Sequence, residues 1–374
     1  MKKFAKMSLV AAIAVAGTVA SAQPLAEAIK NVDVSGTAAY RYNDYELAGE
    51  ASNNYKVAVS LKSKVTDDVT FNTRLIAGNG TANASLGTST TADSNLDLEL
   101  SEVNFTYTGI ANTSITLGKQ ALNTKFSMAR DAMGNEQTGT GLLAMSTFGP
   151  ATIYGAYFNQ TTLNTSDNAV SGLTTGAEDV VVVGVDASFG MINVDASYID
   201  VADAFDAYTV GLGASYDLGS VALSSFARYT ELDLEDSNLD NSLWKVGIAA
   251  NMGIFGAHLS YGETDEEGGV VGTDYSSTTG FDEHWRVTLS DISDASALYA
   301  GIDAQVTDKI KVALNYSDID AGSASNAQDQ TEVFGQITYN HAKNLSSFVR
   351  FGQLDADRNN EKETMGRLHI QYSF

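Results

Sequence analysis

The side chains in this sequence that could do chemistry are limited in kind. Cysteine is absent, so neither thiolate catalysis nor a disulfide framework is available. The four histidines, His258, His284, His341 and His369, lie in no catalytic pattern with serine or aspartate and in no HExxH spacing. Acid clusters such as DLEDSNLD lack the glycine-centred spacing of a calcium loop. What remains is fixed charge. The stretch GKQALNTKFSMARDAMGNEQTGTG (118–141) sets Lys125, Arg130, Asp131 and Glu136 in a segment with neither strand nor helix period. Unstructured loops of this length are usually functional. Charges of both signs on one loop do electrostatic work: they create a transverse field that sorts polar solutes by charge and orientation.

The flanking sequence shows what positions that loop. VDVSGTAAYRY, NYKVAVSLKSKV, DVTFNTRLI, DVVVVGVDASF and AYTVGLGASYDL all alternate apolar with polar residues, as does the terminal RLHIQYSF. A two-residue period puts one apolar and one polar face on each strand. Only Pro24 and Pro150 occur in 374 residues, which fits one continuous hydrogen-bonded sheet. Tight connections alternate with long polar ones. The expected long loops are 77–95, 119–140, 158–178, 231–241, 262–295, 318–331 and 354–363. Short turns at one end and long loops at the other describe an antiparallel up-and-down transmembrane β-barrel, with short periplasmic turns and long extracellular loops. A β-sandwich or solenoid is the competing fold.

Nineteen segments have strand character, but a closed barrel with both termini on one side needs an even number. Counting back from RLHIQYSF leaves no wall position for FDEHWRVTLS (281–290), which is therefore expected inside one long loop. The expectation is eighteen wall strands, with sixteen as the alternative. At the other terminus, MKKFAK, a short apolar run and Ala20-Ser21-Ala22 have the form of a secretory signal peptide over residues 1–22. Residues 23–374 then form one barrel domain. Removing the signal loses three lysines and no acid, taking the net charge from −24 to −27, which disfavours nucleic acid as a partner.

If the apolar parity meets lipid, the other parity lines the interior. That set contains Arg41, Lys56, Lys62, Lys64, Arg74, Lys245, Lys311 and Arg367, with the acids Glu102, Asp186, Asp195 and Asp303. Ionisable groups at membrane depth are tolerated where they face water, so the lumen is expected to be wet. The loops are acidic instead, as in ELDLEDSNLD (231–240) and ETDEE (263–267), and an acid-rich mouth favours cations. Lys125, Arg130, Asp131 and Glu136 are the expected constriction charges, facing Arg41, Arg74 and Arg367. This reading is of a non-enzymatic, mildly cation-selective diffusion channel for small hydrophilic solutes and ions. A surface adhesin or structural barrel with little transport role is the alternative.

The stretches QPLAEAIKNVDVSGTAAYRY and LGKQALNT…GTG, with the terminal QYSF, resemble the major outer membrane porins of Campylobacter and related epsilonproteobacteria. The resemblance implies an eighteen-stranded homotrimeric porin of the Gram-negative outer membrane, in contact with lipid and lipopolysaccharide, narrowed by its third loop. No cofactor is required. The family can hold calcium near its constriction through carboxylates, for which Asp131, Glu136 and Asp303 are the candidates here.

Overall fold

The computed structural model describes residues 32–46, 51–78, 87–89, 97–130, 136–165, 169–235, 237, 239–322, 327, 329–356 and 362–374. The expected signal peptide, residues 1–22, lies outside them. The described chain forms a single antiparallel sheet closed on itself. Its strands are β1 (Val32–Tyr45), β2 (Ser52–Lys64), β3 (Val69–Gly78), β4 (Gly87–Ser89), β5 (Asp97–Ile110), β6 (Thr113–Ala121), β7 (Thr138–Phe148), β8 (Ala151–Thr161), β9 (Val180–Phe189) and β10 (Ile192–Val201). They continue as β11 (Phe205–Asp217), β12 (Ala222–Leu234), β13 (Asp240–Met252), β14 (Phe255–Thr264), β15 (Ala295–Gln305), β16 (Ile310–Ala321), β17 (Gln330–Ala342), β18 (Leu345–Asp355) and β19 (Lys362–Ser373). The three-residue β4 pairs with the upper end of β2 from within a loop. The wall therefore has eighteen strands, each paired with its sequence neighbour, and β1 closes on β19. Sixteen strands are excluded.

Alternation dictates this outcome. Val34, Val57, Val181, Val183, Val210, Leu212, Val246, Ile248, Leu314, Val349 and Leu368 all turn their side chains outward. Such a belt needs lipid, and lipid tolerates no unpaired strand edge, so closure follows. Phe148, Phe189 and Phe255 are exposed beside the short turns, while Tyr208, Tyr229, Trp244 and Tyr261 ring the outer wall toward the long loops. These are the two aromatic girdles of a transmembrane barrel. The chain reverses at the short-turn end through residues able to take positive φ, such as Asn112 (57°) and Gly190 (64°).

Two boundaries differ from expectation and one agrees with it. Asp318 and Asp320, assigned to a loop by their polarity, stand on β16, where Thr331 of β17 donates to Asp318 at 3.0 Å. The strands there outrun the apolar belt, so pairing continues into water. The connection between β10 and β11 at the long-loop end is only residues 202–204, so the alternation of loop lengths has an interruption. FDEHWRVTLS forms no strand and lies in the 265–294 connection, as its lack of a wall position required.

The seam is a close contact. Gly36 N–H donates to the Phe374 carbonyl at 2.8 Å, and Phe374 N–H donates back to Gly36 at 3.0 Å. A Cβ on Gly36 would collide with the Ala58 carbonyl oxygen of β2 and stand 2.6 Å from Phe374 Cζ. Gly36→Val should accordingly lower the temperature at which the closed barrel opens, read from heat-dependent gel mobility. An unchanged transition would show that the close packing of Gly36 against Ala58 and the Phe374 ring does not matter to closure.

Candidate constriction site

The described residues of the connection from β6 to β7, 122–130 and 136–137, are seated inside the barrel by their own local chemistry and by charge. Thr124 Oγ1 accepts the N–H groups of Phe126 and Ser127, each at 3.1 Å, which makes the sequence TKFS a tight turn. Leu122 and Phe126 are fully buried and share an apolar cluster with Phe158, Leu163, Val180, Val182, Ile199, Val201 and Phe205. Glu136, only 2% exposed, is the electrostatic hub. Its carboxylate accepts from Lys56 Nζ of β2 at 2.7 Å, from Arg74 of β3 at 2.7 and 2.9 Å, and from Ser101 Oγ of β5 at 2.9 Å. Burial opposes its ionisation. The Arg74 hydrogen bonds and the charges of Lys56 and Arg74 outweigh that, and hold its pKa below the usual carboxylate value.

The other loop charges also meet the wall. Arg130 reaches Glu102 of β5 at 2.6 Å and lies 3.8 Å from Glu136. Lys125 crosses to the far side, 2.7 Å from Asp186 of β9 and 3.6 Å from Asp195 of β10, which also holds Arg228 at 2.7 Å. The loop is thus strapped at one end to a basic wall and at the other to an acidic one. Asp131 lies outside the described residues.

Arg41, Arg367 and Asp303 are placed elsewhere. Arg41 donates to His369 Nδ1 at 3.3 Å across the β1–β19 seam. Arg367 donates to Asn43 at 2.7 Å and to Tyr45 OH at 2.8 Å, and its guanidinium stands 5.4 Å from the Trp285 ring. Asp303 pairs with Lys311 at 3.1 Å on the wall formed by β15 and β16. The described candidate carboxylates do not fit a shared calcium site, because Glu136 is already filled by cations and Asp303 engages a different wall. Among the described residues no group of three or more histidines or acids is placed to hold a metal.

A second loop also enters the lumen. Residues 265–294 fold inward and meet the first loop: Thr273 N–H donates to the Phe126 carbonyl at 2.7 Å, Gln137 Nε2 donates to the Thr273 carbonyl at 2.6 Å, and Thr279 N–H donates to Lys125 at 3.0 Å. Phe281, Trp285, Val287 and Leu289 are buried with Leu243, Tyr299, Phe334 and Met365 of the wall. Glu332 of β17 accepts the N–H groups of Trp285 and Arg286 at 3.1 and 2.8 Å. Trp285 sits between Arg350 and Arg367, 5.0 and 5.4 Å from their guanidinium carbons. His284 bonds Ser317 and His258, and burial with the nearby charges of His258 and Arg350 lowers it to about 4.

This second loop was the part missed in the sequence. The signal was the period-2 run FDEHWRVTLS in a segment with no wall to join, since an amphipathic strip must bury one face somewhere. A parallel signal was the VVVV run at 180–183. Val181 and Val183 face lipid, whereas Val180 and Val182 face inward and are fully buried. Lumen-parity apolar residues mark the wall that an inward loop covers.

Solved structures share this architecture. Pseudomonas aeruginosa OccK2 (OpdF) in complex with glucuronate is 14% identical with a TM-score of 0.75, covering 92% of this chain and 98% of that one. Pseudomonas aeruginosa OccK5 (OpdH) is 13% identical with a TM-score of 0.73, covering 92% and 98%. Acinetobacter baumannii OccAB4 is 13% identical with a TM-score of 0.73, covering 92% and 97%. At such identities the likeness is one of fold. Comparison with curated proteins finds no match. A model described as the Campylobacter major outer membrane protein matches residues 1–373, and with its eighteen-stranded lipid-belted wall this chain belongs to that outer membrane porin family.

Proposed function

We propose that this porin is a general-diffusion channel for small hydrophilic solutes and ions with a mild preference for cations. The observation that carries the reading is the polar lumen parity. Glu102, Asp186, Asp195, Asp303 and Lys311 stand on wall strands opposite the lipid-facing set and keep part of their side chains accessible. Charges of both signs at that depth are supported by water along the barrel axis. Eighteen strands leave room for such a channel. Asp265, Glu266 and Glu267, at the start of the second inward loop, would concentrate cations at the mouth, and salt would weaken the effect.

Export behind a cleaved signal peptide and assembly as a homotrimer belong to the same proposal and rest on sequence form and family resemblance. Mass measurement of the detergent-extracted complex tests the trimer, and a monomeric mass would remove it. The channel itself is tested in a planar bilayer under a salt gradient. Stepwise conductance with a cation-leaning reversal potential is the expected result. An absence of conductance would overturn the porin reading and leave an adhesin or structural barrel. An anion-leaning potential would overturn the mouth argument.

Lys125 supplies a sharper test. Its amine neutralises Asp186 and Asp195 on the acidic wall. Lys125→Gln uncovers Asp186, while Asp195 keeps Arg228, and should move the reversal potential further toward cations. No movement would place the conducting path away from Asp186.

A further inference from the structure

We propose that the two inward loops form one diaphragm across the bore, joined at a buried seam, and that this seam sets the size limit of the channel. The seam runs between Gly272 and Thr273 of the second loop and Phe126 and Gln137 of the first. Thr273 is fully buried and Gln137 is 3% exposed. The Thr273 hydroxyl lies 3.0 Å from the Phe126 carbonyl and 3.1 Å from Gln137 Oε1. That oxygen also accepts the Met128 N–H at 3.1 Å, while the Gln137 nitrogen donates to the Thr273 carbonyl. One amide thus ties its own loop with its oxygen and the other loop with its nitrogen. Thr279 N–H adds a second grip at the Lys125 carbonyl. The second loop therefore holds the first near its start, at 125 and 126, and at its end, at 137.

Apolar packing crosses the same seam. Val270 and Val271 are neighbours, yet they serve different cores. Val270 packs against the cluster of Leu122 and Phe126, and Val271 is buried with Phe281, Trp285, Val287 and Leu289. Gly272 follows them. A Cβ there would lie 2.8 Å from the Phe126 carbonyl oxygen and 2.6 Å from Thr279 Oγ1. Any side chain at 272 would wedge the loops apart, so the glycine permits their close approach.

The anchors of the joined unit lie on different arcs of the wall. The first loop is tied to β2, β3 and β5 through Glu136 and to β9 and β10 through Lys125. The second is tied to β13 by the bond from Lys245 to the Gly280 carbonyl, and around Trp285 to β1, β17, β18 and β19. Gln137 is also the chain neighbour of Glu136, so the clasp and the electrostatic hub are one peptide bond apart. Withdrawing either loop takes from the other its partners in these buried hydrogen bonds. Elements that share such an interface loosen each other by the same factor in both directions. The bore consequently widens as a unit, and a solute meets one aperture rather than two independent flaps.

The loops can be read separately with trypsin, which cuts only a segment drawn out of the bore. Cutting at Arg130 reports the first loop and cutting at Arg286 the second, and fragment masses tell them apart. Glu136→Gln should raise cutting at Arg286 at least about fivefold, the low end of ordinary coupling. Trp285→Ala should raise cutting at Arg130 by a comparable factor. Gly272→Ala parts the seam without touching either anchor, and on that background both cross effects should disappear. Heat-dependent gel mobility confirms that each variant is a closed barrel. Cutting confined to the loop that carries the substitution would overturn the diaphragm, and cross effects that persist beside Gly272→Ala would overturn the seam. In proteoliposomes, swelling in graded polyethylene glycols should show one enlarged size limit shared by Glu136→Gln, Trp285→Ala and their double variant. A further increase in the double variant would mean two independent apertures and overturn the shared limit. The size limit rests on the channel reading, whereas trypsin reads the seam whether or not the barrel conducts.

Discussion

Glu136→Gln should release the loop between β6 and β7 and produce a wider, more anion-tolerant pore. Glu136 is the shared acceptor for Lys56, Arg74 and Ser101, and all three come from the wall. Its loss leaves two buried cations facing each other without the carboxylate that reconciles them. Removing one partner from a buried ion pair costs on the order of 3–5 kcal/mol. Within this loop the expense falls on the seat, because the wall strands are held by their ladders. Single-channel conductance should rise, and the reversal potential should move toward anions as Lys56 and Arg74 lose their counter-charge. Unchanged conductance would show that another element narrows the lumen.

Acid should reproduce the effect. The folded-state pKa of Glu136 lies below its ordinary value, so its contribution is complete above that ordinary value, about 4.3. It declines as pH falls through the lower, folded-state pKa. Wild-type conductance should therefore be steady from neutral pH down to the ordinary carboxylate range and change only below it. Glu136→Gln should lack that step.

Trp285→Ala should free the second inward loop with an effect of similar size. The indole is 8% exposed and lies among Tyr45, Phe334, Arg350 and Arg367. Truncating a buried tryptophan costs about 3–5 kcal/mol, and the lost cation–π contacts contribute to it. The 265–294 loop should become sensitive to added protease while heat-dependent mobility still reports a closed barrel. Conductance should rise alongside. Resistance to protease in this variant would mean that Phe281 and the Glu332 hydrogen bonds suffice to seat the loop.

The wall was legible because its signal is local and repeated. Strands such as NYKVAVSLK state both faces within nine residues, and the even-number rule disposed of FDEHWRVTLS as a nineteenth wall strand. The segment carrying Lys125, Arg130 and Glu136 was legible from its length and mixed charge. Its pairings were not. Whether Glu136 meets Arg74, Arg41 or Arg367 depends on where a loop lands across a lumen, and nothing in the spacing of 130 and 136 encodes that. Arg367 shows the same limit: its parity marks it as lumenal, but its partner Trp285 lies 82 residues earlier on another loop. The burial of Val180 and Val182 was readable in principle, since four successive valines cannot all face lipid.

The seat of Trp285 has a consequence for the order of assembly. Tyr45 belongs to β1 and Arg367 to β19, the first and last strands of the wall, and both hold the same indole. An open, partly inserted sheet has those strands at opposite edges, so the seat that Phe334, Arg350 and Arg367 offer on β17 to β19 lacks its Tyr45 side. It is completed at the moment the first strand meets the last. Zipping the cylinder and drawing the second loop into its bore are therefore successive parts of one late event, and the loop acts as a latch across the join it depends on.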